Sequence, residues 1–209
     1  MDLQERIKTR NFRNADLIEV VLTDLDLRNA DFRGAKLRKA IFQGSNLCGA
    51  DFRKADLRDA SLEGADLSYA NLEGARLRDA SLMGAILNDA WLKEADLRFT
   101  CLEGASLVNA NLTGAKIRCA DLDGAECQFA IMDRVDLRGA KLVGANLSYT
   151  DLVGANLSDA DLENADLTGA DLTDANFRRA YLKGSNLHDI CDYGASFKGA
   201  SDGPIWFVE

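Results

Sequence analysis

A five-residue unit, Ala165-Asp166-Leu167-Thr168-Gly169, is repeated with variations along almost the whole chain of 209 residues. Ala occupies 30 of the 39 positions divisible by five between 10 and 200, so the register continues without any insertion. The position two residues later is Leu or Phe in 34 of 38 cases. A period of five matches neither the 3.6-residue period of an α-helix nor the two-residue period of a strand. The unit therefore predicts short straight sides that are separated by corners.

The direction of each side chain follows from its place in the unit. Within one side, we expect the Ala and the Leu to point inward, and the two residues that flank the Leu to point outward. Glycine marks the corner, because 16 of the 17 glycines occupy the fifth position of the unit. A type II turn needs a positive φ at its third residue, and glycine adopts this angle without steric cost.

A second period, four times as long as the first, gives the number of sides in one coil. Phe12, Phe32 and Phe52 recur at this longer interval. The same interval separates a column of corner residues: Gly44, Gly64, Gly84, Gly104, Gly124, Gly144, Asn164 and Gly184. Four sides of five residues make a square coil, and consecutive coils are expected to pair as parallel strands about 4.8 Å apart. We therefore predict an all-β fold, a parallel β-helix of about ten four-sided coils.

The repeat resembles that of the pentapeptide-repeat family, whose consensus is A(D/N)LXX. The resemblance covers essentially the whole chain, and it implies a right-handed quadrilateral parallel β-helix; the handedness rests on the resemblance alone. We expect an N-terminal cap at residues 1–9, with Leu3 and Ile7 as its apolar contacts, and the β-helix at 10–200. Residues 201–209 leave the repeat and form either a C-terminal cap or a dimer contact. Asp192 is the one polar residue in the inward Leu column.

The sequence offers little that could support catalysis. A rod filled with Leu has no cleft in which catalytic groups converge, and the single His of the chain, His188, falls on an outward position. There is no Cys-x-x-Cys pair, phosphate-binding loop or dinucleotide fingerprint. We therefore expect a protein that is not an enzyme and that uses no cofactor and no metal.

The composition indicates a cytoplasmic protein. Five cysteines, an odd number without metal-ligand spacing, suit a reducing compartment. The N-terminus has no apolar signal core, and no apolar run approaches the roughly 18 residues that span a membrane.

One pair of outward columns carries most of the positive charge. Summed over six coils, these columns hold nine positive and three negative residues, a net charge of +6. The first column, our main candidate for partner binding, contains Arg38, Arg58, Arg78, Arg98, Arg118 and Arg138. The second alternates in sign: Lys36, Asp56, Arg76, Asp96, Lys116 and Asp136. Either the flanking carboxylates, including Asp59 and Asp79 at the corner, neutralise the arginines, or the columns form a docking strip for an anionic partner.

Two further surface features are secondary candidates. Trp91 and Ile131 are outward apolar residues in one column, two coils apart. Residues 142–177 form an acidic band with seven Asp or Glu and no Lys or Arg. Its candidate members are Asp151, Asp161, Glu163, Asp166 and Asp171. Alternatively, many of these are simply the Asp that the consensus places before the Leu.

These observations favour a non-enzymatic scaffold or protein-interaction module that uses the outer faces of a rigid rod, with a protein partner that the sequence does not identify. The resemblance implies an alternative, because some members of the family bind DNA gyrase as DNA mimics and give quinolone resistance. This chain shares their rod and acidic balance but has none of the loops that interrupt their repeats. The net charge of −9 argues against direct nucleic-acid binding. A monomer and a homodimer through the C-terminal end both remain open.

Overall fold

The computed structural model describes residues 2–201, which begin with a single short helix, α1, Leu3–Thr9. Asp2 caps this helix, because its side chain accepts a hydrogen bond of 2.8 Å from the backbone N–H of Glu5. The helix ends at Arg10, whose backbone is left-handed with φ at 54°. Leu3 and Ile7 are partly buried against the hydrophobic core of the following coils.

From Asn11 to Ser201 the chain forms single parallel β-bridges at every fifth position rather than long strands. Each bridge joins a residue to its equivalent in the next coil, so that Asn11 pairs with Asp31 and Asp31 with Asp51. One coil therefore contains four sides, and each side stacks on the equivalent side of the next coil. This register agrees with the interval predicted from the glycine column.

Every corner is a left-handed residue, whether or not it is glycine. From Asn14 to Gly199, each fifth position has a positive φ, for example 64° at Gly124 and 61° at Phe99. The corner is closed by a hydrogen bond across four residues, such as the 3.0 Å bond from Ala125 N–H to the carbonyl of Leu122. A positive φ at the third residue alone is the arrangement of a type II turn. Bulky side chains are uncommon in this conformation, so Phe99 occupies a corner at some cost in backbone energy.

The backbone hydrogen bonds explain why the unit prefers Asp or Asn before Leu. In residues 171–175, four of the five N–H groups donate to backbone carbonyls at 2.7–2.9 Å. The fifth N–H belongs to Thr173, just after the Leu, and donates to Oδ1 of Asp171 at 2.9 Å. Asn146 accepts in the same way from Ser148 at 3.1 Å. The acidic or amide side chain therefore satisfies the one N–H that the coils leave unpaired.

The core is a stack of inward Ala and Leu or Phe side chains, almost all of them fully buried. Phe12, Phe32 and Phe52 lie ring on ring, with centroids 4.4 and 4.6 Å apart. The less common inward residues Ile117, Cys127 and Met132 are buried as completely as Leu. Asp192, the polar break in this column, lies in the last described coil, where it is exposed to solvent.

The sequence predicts a cap at residues 1–9 and either a cap or a dimer contact at residues 201–209. Apart from Ser201, the predicted C-terminal cap or dimer contact at 201–209 lies outside the described residues. Within residues 2–201, no helix is long and apolar enough to cross a bilayer.

Candidate functional site

The six candidate arginines lie on one side of the coil, which we call the cationic face. Bridges between successive coils connect Lys36 to Asp56 and continue through Arg76, Asp96 and Lys116 to Asp136. Each arginine follows two residues after one member of this column, so both side chains leave the same side of the coil. The cationic face thus consists of the two columns 36–136 and 38–138.

Every second arginine of this face is bound to an aspartate of its own coil. The guanidinium of Arg98 donates to both carboxylate oxygens of Asp96, at 2.7 and 2.6 Å. Arg138 forms the same fork with Asp136, at 2.7 Å on both sides. These guanidinium hydrogen bonds are the main reason why the pKa values of Asp96 and Asp136 lie below the ordinary range. Arg58 and Asp56 form a third such fork.

The other three arginines of the cationic face have no such partner. In their coils the position two residues earlier is Lys36, Arg76 or Lys116. Arg38 and Arg118 form no ion pair with any of residues 2–201. Among the described residues, Arg78 forms an ion pair only with the corner Asp79, at 3.1 Å, and its guanidinium lies 5.2 Å from the ring centroid of Phe99. The face therefore alternates between neutral coils and coils that carry two cationic side chains.

The alternation refines the sequence-based interpretation of neutralising carboxylates. Of the two corner aspartates proposed for this role, Asp79 pairs with Arg78, whereas Asp59 forms no ion pair with residues 2–201. Within the described part of the chain, pairing between coils occurs twice in this column: Lys36 lies 3.0 Å from Asp16 of the preceding coil, and Arg76 lies 3.8 Å from Asp56, which Arg58 already holds. The triplets Asp-Leu-Arg are the sequence signal that could have identified the forks.

The secondary apolar candidates line a shallow recess at another edge of the rod. Trp91 is 59% exposed and Ile131 is 40% exposed, and Asn111 pairs with both in one column. Together with Tyr69, Asp89, Ala90 and Asn109 they line an open recess of about 440 Å³. The structure thus brings Trp91 and Ile131 together, as their shared column predicted. Asp151 and Asp171 follow Ile131 in the same column.

The acidic band is divided among several sides and is engaged in local bonds. Asp161 and Glu163 lie on a different side from Asp151, and Asp166 lies on a third. Four of its carboxylates accept the backbone N–H two residues later, at 2.9–3.1 Å: Asp151, Asp161, Asp166 and Asp171. For Asp171, hydrogen bonds from the hydroxyl and the N–H of Thr173 lower the carboxyl pKa.

Cations from the following coil reach into this band, which the sequence analysis did not anticipate. Lys183 lies 3.2 Å from Glu163, and Arg179 lies 2.6 Å from Asp159. Each cation lies one coil after its carboxylate, so both ion pairs join equivalent positions of adjacent coils. Within residues 2–201, no group of three His, Cys, Asp or Glu side chains could hold a metal ion.

A four-sided coil closed by left-handed corners and lined with Ala and Leu defines a β-helical repeat protein. The sequence profile of the family Pentapeptide repeats matches this chain with eight copies. The matched ranges are 11–34, 30–68, 60–98, 92–126, 120–159 and 150–189. The chain belongs to the pentapeptide repeat family, which confirms the resemblance and gives the coil its right-handed sense.

Solved structures of the same family resemble this chain over most of its length. HetL from Nostoc sp. strain PCC 7120, a pentapeptide repeat protein involved in heterocyst differentiation regulation, is 36% identical; the alignment covers 96% of both chains with a TM-score of 0.52. QnrB1, a plasmid-mediated fluoroquinolone resistance protein, is 23% identical over 84% of this chain and 87% of its own, with a TM-score of 0.59. That second likeness shows the fold alone. No curated protein sequence matches significantly.

Proposed function

We propose that this chain is a non-enzymatic interaction module of the cytoplasm, whose cationic face docks an anionic surface of a protein partner. The observation that carries the proposal is the contrast between bound and free arginines on one face. Arg58, Arg98 and Arg138 are held by aspartates, whereas Arg38 and Arg118 are not. Free guanidinium groups on a rigid surface can bind carboxylates in a bidentate manner without first breaking an internal pair.

Family membership supports the general role. The stacked sides of the coils give the rod regular outer faces, which suit contact with another macromolecule. HetL, which is similar to this chain along nearly its whole length, is involved in the regulation of heterocyst differentiation. From this similarity we propose only that the present chain is also a regulatory interaction protein.

An affinity capture from the lysate of the source organism tests this function. The bait is the wild-type chain, and the matched variant carries Arg38→Glu, Arg78→Glu and Arg118→Glu. We expect at least one partner that wild type retains at low salt and that the variant loses, because the reversed charges repel an anionic surface. Raising the salt concentration should weaken the wild-type complex.

A second triple variant controls for a general loss of positive charge. It carries Arg13→Glu, Lys93→Glu and Arg134→Glu, which change the net charge equally but lie off the cationic face. If this control loses the same partners, or if both variants retain them, the cationic face is not the docking surface.

The alternative function is a DNA-mimicking regulator of gyrase. The acidic band at 142–177 supports it, because negative side chains on a straight rod resemble a DNA surface in charge. A gyrase supercoiling assay tests this alternative. The mimic is supported if wild type protects gyrase from a fluoroquinolone and the triple variant Asp151→Asn, Asp166→Asn, Asp171→Asn does not. It is contradicted if excess protein leaves supercoiling unchanged. Asparagine keeps the backbone N–H acceptor of each aspartate, so the variant should fold.

A further inference from the structure

The coils of the cationic face that carry two cationic side chains recur at a fixed distance, and this spacing restricts what can bind. The cationic coils are those of Arg38, Arg78 and Arg118, each of which is separated from the next by two steps of the bridge register. At 4.7–4.9 Å between paired strands, two coils correspond to about 9.4–9.8 Å. In the two columns of this face, the intervening coils are neutral, because Arg58 and Arg98 are forked by aspartates.

Among regular peptide conformations, polyproline II matches this spacing most closely. It has three residues per turn and a rise of 3.1 Å, so every third side chain recurs on one side after about 9.3 Å. An extended β-strand repeats on one side at about 6.6–6.8 Å, which places its second carboxylate between a neutral coil and the next cationic coil. An α-helix repeats at seven residues, or about 10.5 Å, and moves progressively out of register.

Phe99 supplies an apolar contact within the same strip. Its ring is 46% exposed and lies at the corner beside the cationic face, with the guanidinium of Arg78 5.2 Å from the ring centroid. The backbone at Phe99 is left-handed with φ at 61°, a conformation that sixteen other corners give to glycine. An exposed aromatic ring is the usual contact for proline residues of a polyproline II segment. A duplex nucleic acid would supply the charge but no partner for this ring.

We propose that the cationic face binds an acidic segment in the polyproline II conformation, with a carboxylate at every third residue and proline between them. The carboxylates pair with Arg38, Arg78 and Arg118 in successive turns, with the carboxylate at Arg78 replacing the exposed pair with Asp79, and a proline ring packs on Phe99. This inference rests on the proposed docking function of the cationic face and names the chemistry of its partner.

Two fluorescein-labelled peptides of identical composition test the spacing. The first has about four Glu-Pro-Pro units, which extend beyond the three cationic coils. The second has the same Glu residues in one block followed by the same Pro residues. We expect the full-length chain to bind the first peptide about tenfold or more tightly than the second in fluorescence anisotropy at low salt, because only the first places its carboxylates in register.

Three variants locate the contact. Arg38→Gln, Arg78→Gln and Arg118→Gln together should weaken binding of the repeating peptide by about tenfold or more. The matched control removes the forks in charge-neutral pairs and should bind as wild type does. Its changes are Asp56→Asn with Arg58→Gln, Asp96→Asn with Arg98→Gln, and Asp136→Asn with Arg138→Gln. Asn keeps the backbone N–H acceptor, as Asn146 shows, so the control retains the coil.

Phe99→Gly tests the apolar contact separately. Because φ is 61° at this corner, glycine relieves the backbone, and thermal unfolding should show a fold at least as stable as wild type. Binding of the Glu-Pro-Pro peptide should nevertheless fall about threefold or more, since the proline loses its aromatic surface.

The outcomes separate this inference from the proposed function. Equal binding of the two peptides would overturn the register while leaving an anion-docking face. Tighter binding of an acidic α-helical peptide or of duplex DNA would also overturn it. If neither peptide, helix nor DNA binds at low salt, the docking function and the inference both fail.

Discussion

The interior and the cationic face are built from the same five-residue unit, yet they follow different periods. Inside, each coil repeats the one before it, and Ala or Leu recurs at every step. Outside, the cationic face repeats only after two coils, because Asp and a cation alternate in the column from Lys36 to Asp136. Packing of the core does not depend on the charges of the outward residues. The two-coil period of the cationic face is therefore not a consequence of core packing.

The largest expected effect distinguishes neighbouring inward and outward residues. Leu107 is fully buried at mid-rod, while Val108 faces outward and is partly exposed. Leu107→Asp should destabilise the fold by more than about 4 kcal/mol, because it buries a charge without a partner. Val108→Asp should cost less than about 1 kcal/mol. Thermal or urea unfolding measured by circular dichroism gives both values; equal losses would contradict the four-sided coil.

The reactivity of the cysteine thiols also distinguishes the interior from the surface. Burial raises the pKa of the Cys127 thiol to about 12, whereas Cys119 and Cys191 are exposed. At pH 8 the thiolate fraction of Cys127 is therefore roughly a thousandfold below that of an ordinary cysteine. Iodoacetamide labelling followed by mass spectrometry should modify Cys119 and Cys191 in the native protein and modify Cys127 only after unfolding. Rapid native labelling of Cys127 would show that the core is open.

The smallest expected effect compares a forked with an unforked aspartate. The carboxylate of Asp96 accepts hydrogen bonds from Arg98 and from a backbone N–H, whereas the carboxylate of Asp66 accepts only the N–H of Ser68, at 3.0 Å, within residues 2–201. Asparagine keeps the N–H acceptor at both positions. We therefore expect Asp96→Asn to lower the free energy of unfolding by up to about 1 kcal/mol, and Asp66→Asn to change it very little.

The pH dependence of Asp96 has a definite sign. The fork lowers the carboxyl pKa in the folded state, so its stabilisation is present above the unfolded pKa of about 3.9 and is lost as the pH falls through the lower folded value. Between pH 5 and pH 2, wild type should consequently lose more stability than Asp96→Asn. A parallel decline of the two proteins in acid unfolding would rule out a contribution from the fork.

The features that the sequence predicted are those that its periodicity determines. The burial of the inward residues and the left-handed corners each follow from a fixed position in the five-residue unit. The helix Leu3–Thr9 lies outside the repeat, and no period indicated it. The forks were also not assigned to particular pairs, because several cations lie within one coil of Asp56; the triplet Asp-Leu-Arg is the signal that favours Arg58 over Arg76.

The ion pairs of the acidic band can be predicted only if the cations of the next coil are considered. Arg179 and Lys183 follow the band in sequence but stand beside it in space. A charge count along the chain therefore overstated the isolation of these carboxylates. By contrast, the column shared by Trp91 and Ile131 followed from the coil register alone, although the recess that they line was not predicted.

The coil register also determines how such a gene can change in length. Loss of the codons for one side turns every later side by a quarter around the axis, while its Ala and Leu still enter the core. Loss of the codons for one whole coil restores the orientation but inverts the alternation of forked and unforked arginines in the later coils. Only a change of two whole coils preserves both the orientation of each side and the alternation on the cationic face.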